Sequence, residues 1–255
     1  MKTITFIAIT LFSGAIAGTF LGLINQVVVE PYVDKAIGIQ TQAAINGGGQ
    51  VVDPVQQSSY RVWQKEGGIV ASTIYGISLS ALFGVIFVYS RNSVLLPSSS
   101  NRMRAMVLAA IMFFVLFVVP SLKYPANPPG VGNPQTIYYR ETLYVGFILT
   151  SGLTAFALSF LHRRFGNNVN NNQNFLSPKK TGIILLPVIY AIVMVVAYFS
   201  FPPNPDKSTM PMDLITSFRV AGTFSIGVFW GLMGIILGSL WDKFKPYEAS
   251  KIASF

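Results

Sequence analysis

Oxygen-bearing side chains recur about once per helical turn around the end of the first apolar stretch of the sequence. Asn25 and Gln26 come first, and Glu30 and Asp34 follow. Residues three and four positions apart are neighbours on the surface of a helix. If the helix continues through the proline after Glu30, these groups form a ladder of oxygen ligands along one side. Glu66, which lies just before the second apolar stretch, could face that ladder.

Carboxylate and amide oxygens are suitable ligands for divalent cations. A site without thiolate or imidazole binds weakly, and weak binding suits a transport path because the ion has to be released again. The predicted metal ligands are Asn25, Glu30, Asp34 and Glu66. The alternative is that the acids form interfacial ion pairs with Arg61 or Arg140.

The composition argues against a soluble enzyme. Of the 255 residues, 52% are hydrophobic and only 11% are charged, whereas a soluble domain has about 25% charged residues. The chain has no cysteine and one histidine, His162, so it offers no thiolate and almost no imidazole for a metal site. It also lacks a Walker loop, a dinucleotide fingerprint and a His-Glu-x-x-His motif. We therefore predict that the protein is not an enzyme and binds no permanent cofactor.

Six stretches of the sequence carry no charged residue. They are 4–29, 69–89, 105–122, 143–161, 182–201 and 220–240. Each is 18 to 26 residues long, and a helix needs about 20 apolar residues to cross a membrane. Backbone amides in lipid have to be satisfied within the segment, which favours helices. The predicted fold is therefore an all-α polytopic membrane helix bundle, with six transmembrane helices in a single integral membrane domain over residues 1–255.

The Lys and Arg residues orient this bundle. Short cytoplasmic loops are enriched in Lys and Arg, and a cytoplasmic N-terminus places eleven of the eighteen inside and seven outside. The six helices then form three antiparallel hairpins with both termini cytoplasmic. The net charge of +9 is explained by attraction to anionic lipid headgroups. The predicted partner is therefore the lipid bilayer and not nucleic acid.

The connections between helices differ on the two sides of the predicted membrane. The outer turns, 30–68, 123–142 and 202–219, contain many prolines, which favour rigid, extended segments that act as lids. On the inner side, an asparagine-rich tract at 166–174 predicts a mobile cytoplasmic linker. The first apolar run also resembles a secretory signal with a small-residue cleavage site, and its removal would leave five spans.

Each outer turn re-enters the membrane through an aromatic residue followed by an arginine. The pairs are Tyr60-Arg61, Tyr139-Arg140 and Phe218-Arg219. The arginines are 79 residues apart in both intervals. One interpretation is an interfacial belt, in which each guanidinium reaches lipid phosphates. The other is a repeated hairpin of the kind that places transport sites at repeat interfaces.

Small residues at intervals of four let helix backbones pack closely in lipid. In the first, second and sixth predicted helices these residues are Gly14, Gly18 and Gly22; Ser72, Gly76, Ser80 and Gly84; and Gly227 with Gly231 and Gly234 with Gly238. We therefore predict that these three helices form the centre of the bundle. The third and fifth helices, rich in Val, Ile, Phe and Met, are predicted to face lipid.

Three longer segments resemble the CbtA family. They are LINQVVVEPYVDKA at 23–36, RVWQKEGG at 61–68 with Tyr75-Gly76 after it, and VPSLKYPANPPGVGNPQT at 119–136. The Lys-Tyr-Pro-x-Asn-Pro-Pro turn is the most specific part, and the similarity runs from about Gly14 to about Trp241. The resemblance implies a multi-pass membrane protein that takes part in cobalt uptake for cobalamin synthesis.

The same resemblance implies a partner, a small one-helix subunit with a histidine-rich metal-binding end. We therefore predict a multi-pass subunit of a cobalt(II) uptake transporter in the cell membrane, with an ion path bounded by the first, second and sixth helices. The alternative is a non-conducting accessory subunit of a larger integral membrane complex, because few polar groups lie at membrane depth.

Overall fold

A computed structural model of the chain describes residues 3–48, 53–90, 93, 95–96, 100–165, 178–206, 208 and 210–246. Within these residues the regular structure is helical, and no strand occurs. The α-helices are α1 Thr3–Val28, α2 Glu30–Asn46, α3 Pro54–Tyr89, α4 Asn101–Phe113, α5 Val119–Lys123, α6 Ile137–Phe165, α7 Pro178–Ser200 and α8 Met212–Phe244. A π turn at Phe114–Val118 joins α4 to α5, and a 3-10 turn at Pro134–Thr136 leads into α6.

Six helical segments of the described residues are long and apolar enough to cross a membrane. They are Thr3–Val28, Val55–Tyr89, Asn101–Lys123, Pro134–Arg164, Ile183–Ser200 and Met212–Phe244. The prediction of an all-α protein with six membrane-spanning helices is therefore confirmed, and the chain is a multi-pass membrane protein. The tract at 166–174 that we predicted to be a linker lies outside the described residues.

The prediction of an extended lid at 30–68 is wrong, because this segment is mostly helical. Residues 30–46 form α2, and α3 begins at Pro54, 15 residues before the predicted start at Ile69. Pro31 and Pro54 both stand in the first turn of a helix, where the missing N–H would have no partner anyway. Asp53 caps α3 by accepting a hydrogen bond of 2.9 Å from the amide of Val55. These prolines therefore start helices instead of extending the chain.

The glycines of α1 lie directly against the backbone of α3, as predicted. A Cβ atom added to Gly18 would lie 3.0 Å from the Cα of Gly76, and one added to Gly22 would lie 2.7 Å from the Cα of Ile69. At Gly14 an added Cβ would collide with Ser80. Helices in lipid associate through such close packing, so the first and second spans are joined along most of their shared length.

The third span also lies in this part of the bundle, which corrects the prediction that it faces lipid. An added Cβ at Gly238 of α8 would lie 2.5 Å from the Cα of Arg102, and one at Gly234 would lie 3.0 Å from the carbonyl oxygen of Ala105. Gly231, by contrast, has no described atom within 4 Å of an added Cβ. The two glycine pairs of α8 therefore differ. The pair Gly234 and Gly238 packs directly against the backbone of α4.

The buried side chains divide the spans into two packing units. The first unit consists of α1, α3, α4 and α8 around a core of Phe83, Phe87, Phe229, Trp230 and Trp241. The second unit consists of the π turn, α5, α6 and α7 around Val115, Val119, Tyr124, Phe147, Tyr190 and Met194. Most of the described side chains of α7 are exposed, in agreement with the prediction that the fifth span faces lipid.

The helix α2 lies against the start of α8. Ala36 of α2 is fully buried and clusters with Leu214 and Ile215 of α8, with Met210 before that helix, and with Val131. The connections at 124–136 and 202–211 therefore lie at the same end of the bundle as α2. We call this end the α2 end.

Candidate functional site

The predicted ladder of oxygen ligands is interrupted by a single residue. α1 ends at Val28 and α2 begins at Glu30, because Pro31 has no N–H to continue the helical hydrogen bonds. The intervening Val29 keeps helical backbone angles, with φ −102° and ψ −44°, and its amide still bonds to the carbonyl of Asn25 at 2.9 Å. Glu30 and Asp34 therefore lie on the first turns of a separate helix at the α2 end.

Two carboxylates of α2 share one guanidinium of α3. Nη2 of Arg61 pairs with Oε2 of Glu30 and lies 2.8 Å from Oδ1 of Asp34. Nζ of Lys65, one turn further along α3, lies 2.7 Å from the other oxygen of Asp34. We call these four residues the Arg61 cluster. The ion-pair alternative from the sequence is therefore the arrangement that the structure shows for Glu30 and Asp34 with Arg61.

The Arg61 cluster is open on one side. The side chain of Arg61 is 15% exposed, whereas that of Asp34 is 46% exposed. Partial desolvation opposes ionisation of Asp34, but the hydrogen bonds and positive charges of Lys65 and Arg61 outweigh it and lower the pKa of this carboxyl below its ordinary value. Asp34 therefore stays ionised and remains accessible from solvent.

The other two predicted ligands do not join this cluster. Asn25 is half-buried in α1, and Glu66 is exposed on α3 and forms no ion pair with any residue that the structure describes. Gln26, from the same ladder, donates a 2.6 Å hydrogen bond to the carbonyl of Lys65. In the described part of the chain, no three His, Asp or Glu side chains come together in a way that could hold a metal ion. The structure thus brings two of the four candidates together.

A pocket of about 450 Å³ adjoins the Arg61 cluster between α2 and the start of α3. Asp34 and Arg61 form one end of it, and Thr41, Gln57 and Ser58 line it further along with polar atoms. Nε2 of Gln57 lies 3.4 Å from Oγ1 of Thr41, which links the two helices. Solvent and ions therefore reach the exposed carboxylate of Asp34 through a polar groove.

A second ion pair at the α2 end is built differently. Oδ2 of Asp206 lies 3.0 Å from Nε of Arg140 and accepts hydrogen bonds from Oγ1 of Thr136 at 2.5 Å and from the amide of Asn133 at 3.1 Å. Arg140 also donates to the carbonyl of Val131 at 3.1 Å. We call this arrangement the Asp206 clasp. It ties the connection at 202–211 to the turn that precedes α6.

The Asp206 clasp is closely packed. The hydrogen bond from Thr136 lowers the pKa of Asp206, and although slight desolvation opposes this, the Asn133 amide and the charge of Arg140 lower it further. Gly132 has φ +92°, and an added Cβ there would lie 2.5 Å from Nη1 of Arg140 and 2.8 Å from Oδ2 of Asp206. Glycine suits this backbone position, because its positive φ strains other residues and because a Cβ atom would displace the ends of Arg140 and Asp206.

The third arginine of the repeat also binds protein. Nε of Arg219 donates to the carbonyl of Ala126 at 3.0 Å, and Nη2 donates to Oδ1 of Asn127 at 2.6 Å. Arg61, Arg140 and Arg219 therefore all hold segments of the α2 end together. Each guanidinium is bonded to the protein, and the interpretation of these arginines as a belt that reaches lipid phosphates stays a prediction.

Sequence reasoning missed Lys65 and Asp206. Lys65 could have been found, because it follows Arg61 by four residues and so lies on the same helix face. Asp206 gives no local signal, since its partner Thr136 lies 70 residues earlier in the chain.

The turn that follows Tyr124 is held by Arg140 and Arg219. It forms one wall of a second pocket, of about 730 Å³. Tyr124 and the proline-rich segment after it form one side, and Glu141 and Tyr144 of α6 form the other. Gln40 of α2 closes the rim, with its side chain against Gly130. We call this space the turn pocket.

The chemistry available at the α2 end is cation binding by carboxylates. Glu30 and Asp34 place two carboxylates within reach of one nitrogen of Arg61, so a compact divalent cation could bind the same two groups. The Asp206 clasp offers one carboxylate whose bonds are already made to the protein.

The chain also matches a known family. The family described as "Probable cobalt transporter subunit (CbtA)" matches residues 3–242, which includes both ion pairs, the first five spans and all but the last two residues of the sixth. No curated protein and no solved structure gives a significant match. The word "subunit" in this description implies a transporter with more than one component. Because the match covers nearly the whole length, the chain belongs to the CbtA family of probable cobalt transporter subunits.

Proposed function

We propose that the protein is the membrane subunit of a cobalt(II) uptake transporter in the cell membrane, with the α2 end outside and both termini in the cytoplasm. The observation that carries this proposal is the Arg61 cluster, in which two carboxylates, that of Asp34 accessible from solvent, are held by positively charged side chains. Cobalt(II) is the transported ion and not a permanent cofactor. The family match supports cobalt as the ion.

Capture of the ion is an exchange of cations at Glu30 and Asp34. The two carboxylates carry two negative charges and contact the positive charges of Arg61 and Lys65. A divalent ion that displaces both basic side chains leaves the charge of the site balanced, so entry needs no unpaired carboxylate. Exchange also keeps binding weak, because the basic side chains compete for the same oxygens, and weak binding permits release.

Asn25 and Glu66 are the candidate ligands for the step after capture. Asn25 lies on α1 about one turn before Glu30, and Glu66 follows Lys65 on α3. Both positions are nearer to the apolar part of their spans than Asp34 is. An ion that leaves the Arg61 cluster toward the membrane would meet an amide and a carboxylate there.

Uptake of cobalt by cells tests this proposal. We expect Glu30→Gln and Asp34→Asn to lower the initial uptake rate roughly tenfold or more, since removing one of two carboxylates from a cation site costs on the order of 1.4 kcal/mol or more. Glu66→Gln tests the onward step. Asp213→Asn is the matched control, because Asp213 is an exposed acid at the start of α8 and does not belong to the Arg61 cluster. Wild-type uptake by both Glu30→Gln and Asp34→Asn, at equal protein levels, would exclude this site.

The second candidate function, a non-conducting accessory subunit, rests on the packing of α1 against α3. An ion path along this contact would require the helices to separate, because their backbones touch at Gly18 and Gly76. An accessory subunit would dock against a histidine-rich one-helix partner or against a larger membrane complex. Flux of cobalt into vesicles that contain only the purified chain distinguishes the two: flux supports conduction by this chain, and its absence, with flux restored by co-purified partners, supports the accessory role.

A further inference from the structure

The third span contains a carbonyl group that its own helix cannot satisfy. The amide of Val119 bonds to the carbonyl of Phe114, five residues earlier, which is the spacing of a π turn. In this register the carbonyl of Val115 would accept from residue 120, but residue 120 is proline and has no N–H. The carbonyl of Val115 therefore needs a donor from elsewhere, since water is scarce in the interior of a membrane protein.

Two side chains from neighbouring spans supply that donor. Oγ of Ser151 on α6 lies 2.5 Å from the carbonyl oxygen of Val115 and 2.6 Å from Oη of Tyr190 on α7. Ser151 has a single proton, and the carbonyl can only accept, so Ser151 donates to Val115 and Tyr190 donates to Ser151. All three residues are buried. They form one directed chain of hydrogen bonds across three spans, which we call the Val115 relay.

The π turn lies where the third span changes its packing partner. Before it, Leu108, Ala109 and Met112 belong to the core of the first packing unit. After it, Val119 and Tyr124 belong to the core of the second. An extra residue in a helical turn rotates the following side chains around the helix axis, so the π turn directs α5 toward α6 and α7. It is the continuous backbone connection between the two units at membrane depth, and helices bend most readily at such turns and at proline.

The segment beyond the π turn forms part of the turn pocket. Tyr124, which follows α5, lines this pocket, stacks edge-on against Phe147 with ring centroids 5.8 Å apart, and donates a 2.5 Å hydrogen bond to the carbonyl of Pro202. The opposite wall is α6, which also carries Ser151. Gln40, which closes the rim of the pocket against Gly130, lies on α2, and α2 packs against α8 of the first unit. A change of angle at the π turn would therefore move Gln40 away from Gly130 and open the rim.

At the other end of the bundle the two packing units are held together. Nη1 of Arg163 on α6 donates a 2.5 Å hydrogen bond to the carbonyl of Tyr89 at the end of α3, and its guanidinium lies 4.3 Å from the centre of the Tyr89 ring. The ring of Tyr89 also contacts Phe156, with centroids 5.6 Å apart. Bending at the π turn would thus open the α2 end while these contacts hold the opposite end closed.

We propose that the π turn is a hinge between the two packing units, and that the Val115 relay is the lock that keeps the turn pocket closed. Ser151 and Tyr190 are positioning residues in this device, because they fix the angle of the third span and touch no proposed ligand. Loss of either hydroxyl group increases the fraction of time that the pocket is open. The proposal does not depend on which ion is transported or on whether the Arg61 cluster binds it.

The rate of cysteine labelling in the turn pocket tests the hinge. The chain has no cysteine, so Leu143→Cys, which lines the pocket and packs against the second core, provides a single reactive thiol. The purified protein is reconstituted into vesicles and treated with a membrane-impermeant maleimide. We expect Tyr190→Phe to raise the labelling rate roughly two- to tenfold, the factor that corresponds to one net hydrogen bond. Ser151→Ala should raise the rate at least as much, because it removes both hydrogen bonds of the relay. The double variant should label little faster than Ser151→Ala alone, because Ser151→Ala already breaks both hydrogen bonds of the relay.

Two further variants identify the cause. Thr150→Ala is the matched control, because the hydroxyl of Thr150, next to Ser151, bonds only within its own helix, to the carbonyl of Gly146 at 2.8 Å. It should leave the labelling rate unchanged. Pro120→Ala restores an N–H that can bond to the carbonyl of Val115, so Pro120→Ala combined with Ser151→Ala should label more slowly than Ser151→Ala alone.

Three results would overturn the proposal. They are wild-type labelling of both Ser151→Ala and Tyr190→Phe, an equal increase in Thr150→Ala, and no reduction of the Ser151→Ala rate by Pro120→Ala. If Ser151→Ala does not yield folded protein, Tyr190→Phe and the variant that combines Pro120→Ala with Ser151→Ala still decide the question. Because cobalt is not used, failure of this test leaves the proposed uptake function standing, and failure of the uptake test leaves the hinge standing.

Discussion

The Arg61 cluster and the Asp206 clasp are both ion pairs at the α2 end, and both involve an arginine of the 79-residue repeat. They differ in what surrounds the carboxylates. Asp206 has 10% of its side chain exposed and accepts hydrogen bonds from Thr136 and Asn133 as well as the contact with Arg140. Asp34 is 46% exposed and is held only by Arg61 and Lys65.

This difference indicates a structural role for Asp206 and a role in cation exchange for Asp34. Removing the contact of Asp206 with Arg140 would disturb the turn before α6, because the same two side chains also bond to Asn133, Thr136 and the carbonyl of Val131 and pack against Gly132. Asp34 lies instead at the end of an open pocket, and its partners are long side chains that can move away. We infer that the neutral hydrogen bonds from Thr136 and Asn133 fix Asp206 in place, whereas Asp34, which has only charged partners, can exchange them for another cation.

The largest expected effect is on the rigidity of the clasp. Gly132→Ala should reduce the free energy of unfolding by about 2 to 4 kcal/mol, since a positive φ strains alanine and the added Cβ lies against Arg140 and Asp206. Gly38→Ala is the matched control near the Arg61 cluster. Gly38 lies inside α2 with no described atom within 4 Å of an added Cβ, so alanine should be neutral or should stabilise the helix by up to about 1 kcal/mol. Unfolding of both variants in detergent measures this, and equal effects would contradict the comparison.

A smaller effect is expected on cobalt affinity. Arg61→Gln removes a cation that competes for Glu30 and Asp34, so cobalt(II) should bind roughly tenfold more tightly, a change of about 1.4 kcal/mol. Arg140→Gln is the control, because the single carboxylate of the clasp keeps its bonds to Thr136 and Asn133. Calorimetric titration of the purified variants with cobalt(II) gives the affinities. Weaker binding by Arg61→Gln would show that the arginine orders the carboxylates instead of competing for them.

The smallest effect is on the acid stability of the clasp. The pKa of Asp206 is lowered from its ordinary value of 3.8 when the protein folds, so ionised Asp206 favours the folded state. This contribution is present in full above pH 3.8 and is lost as the pH falls through the lower pKa of the folded protein. Asp206→Asn should be less stable than the wild type at neutral pH, and the difference should shrink below pH 3.8. Thermal unfolding of both proteins across this range measures the difference, and a constant difference would refute the linkage.

The spans could be predicted from the sequence because membrane insertion depends on local composition. The six charge-free runs predict the spans, and the spaced glycines of α1 and α3 predict which faces pack closely. Both signals, the length of an apolar run and the spacing of small residues, can be read within one helix. The ends of the helices were less accurate. α3 begins at Pro54 because Asp53 caps it and a proline fits its first turn. The spans were predicted from apolar runs, and neither of these two signals is part of such a run.

The candidate site could be predicted only in part. The spacing of Glu30 and Asp34 places both on one helix face, and Arg61 was named as an alternative partner for the acids. Whether these acids face an arginine or a metal ion is decided by how α2 packs on α8 through Ala36 and how α3 packs on α1 through Gly76. Those contacts join residues that are far apart in the chain, and no local pattern specifies them.

The sequence by itself determined that this chain has six apolar helices, which of their faces are small enough to touch, and where carboxylates recur along the chain. The tertiary structure alone decided that each of the three repeated arginines is bonded to the protein, that the third span changes partner at a π turn, and that the carbonyl of Val115 is satisfied by Ser151 on α6. The reason is physical. Hydrophobicity and helical periodicity act over a few residues, whereas a buried polar group takes whichever donor the folded chain brings within about 3 Å.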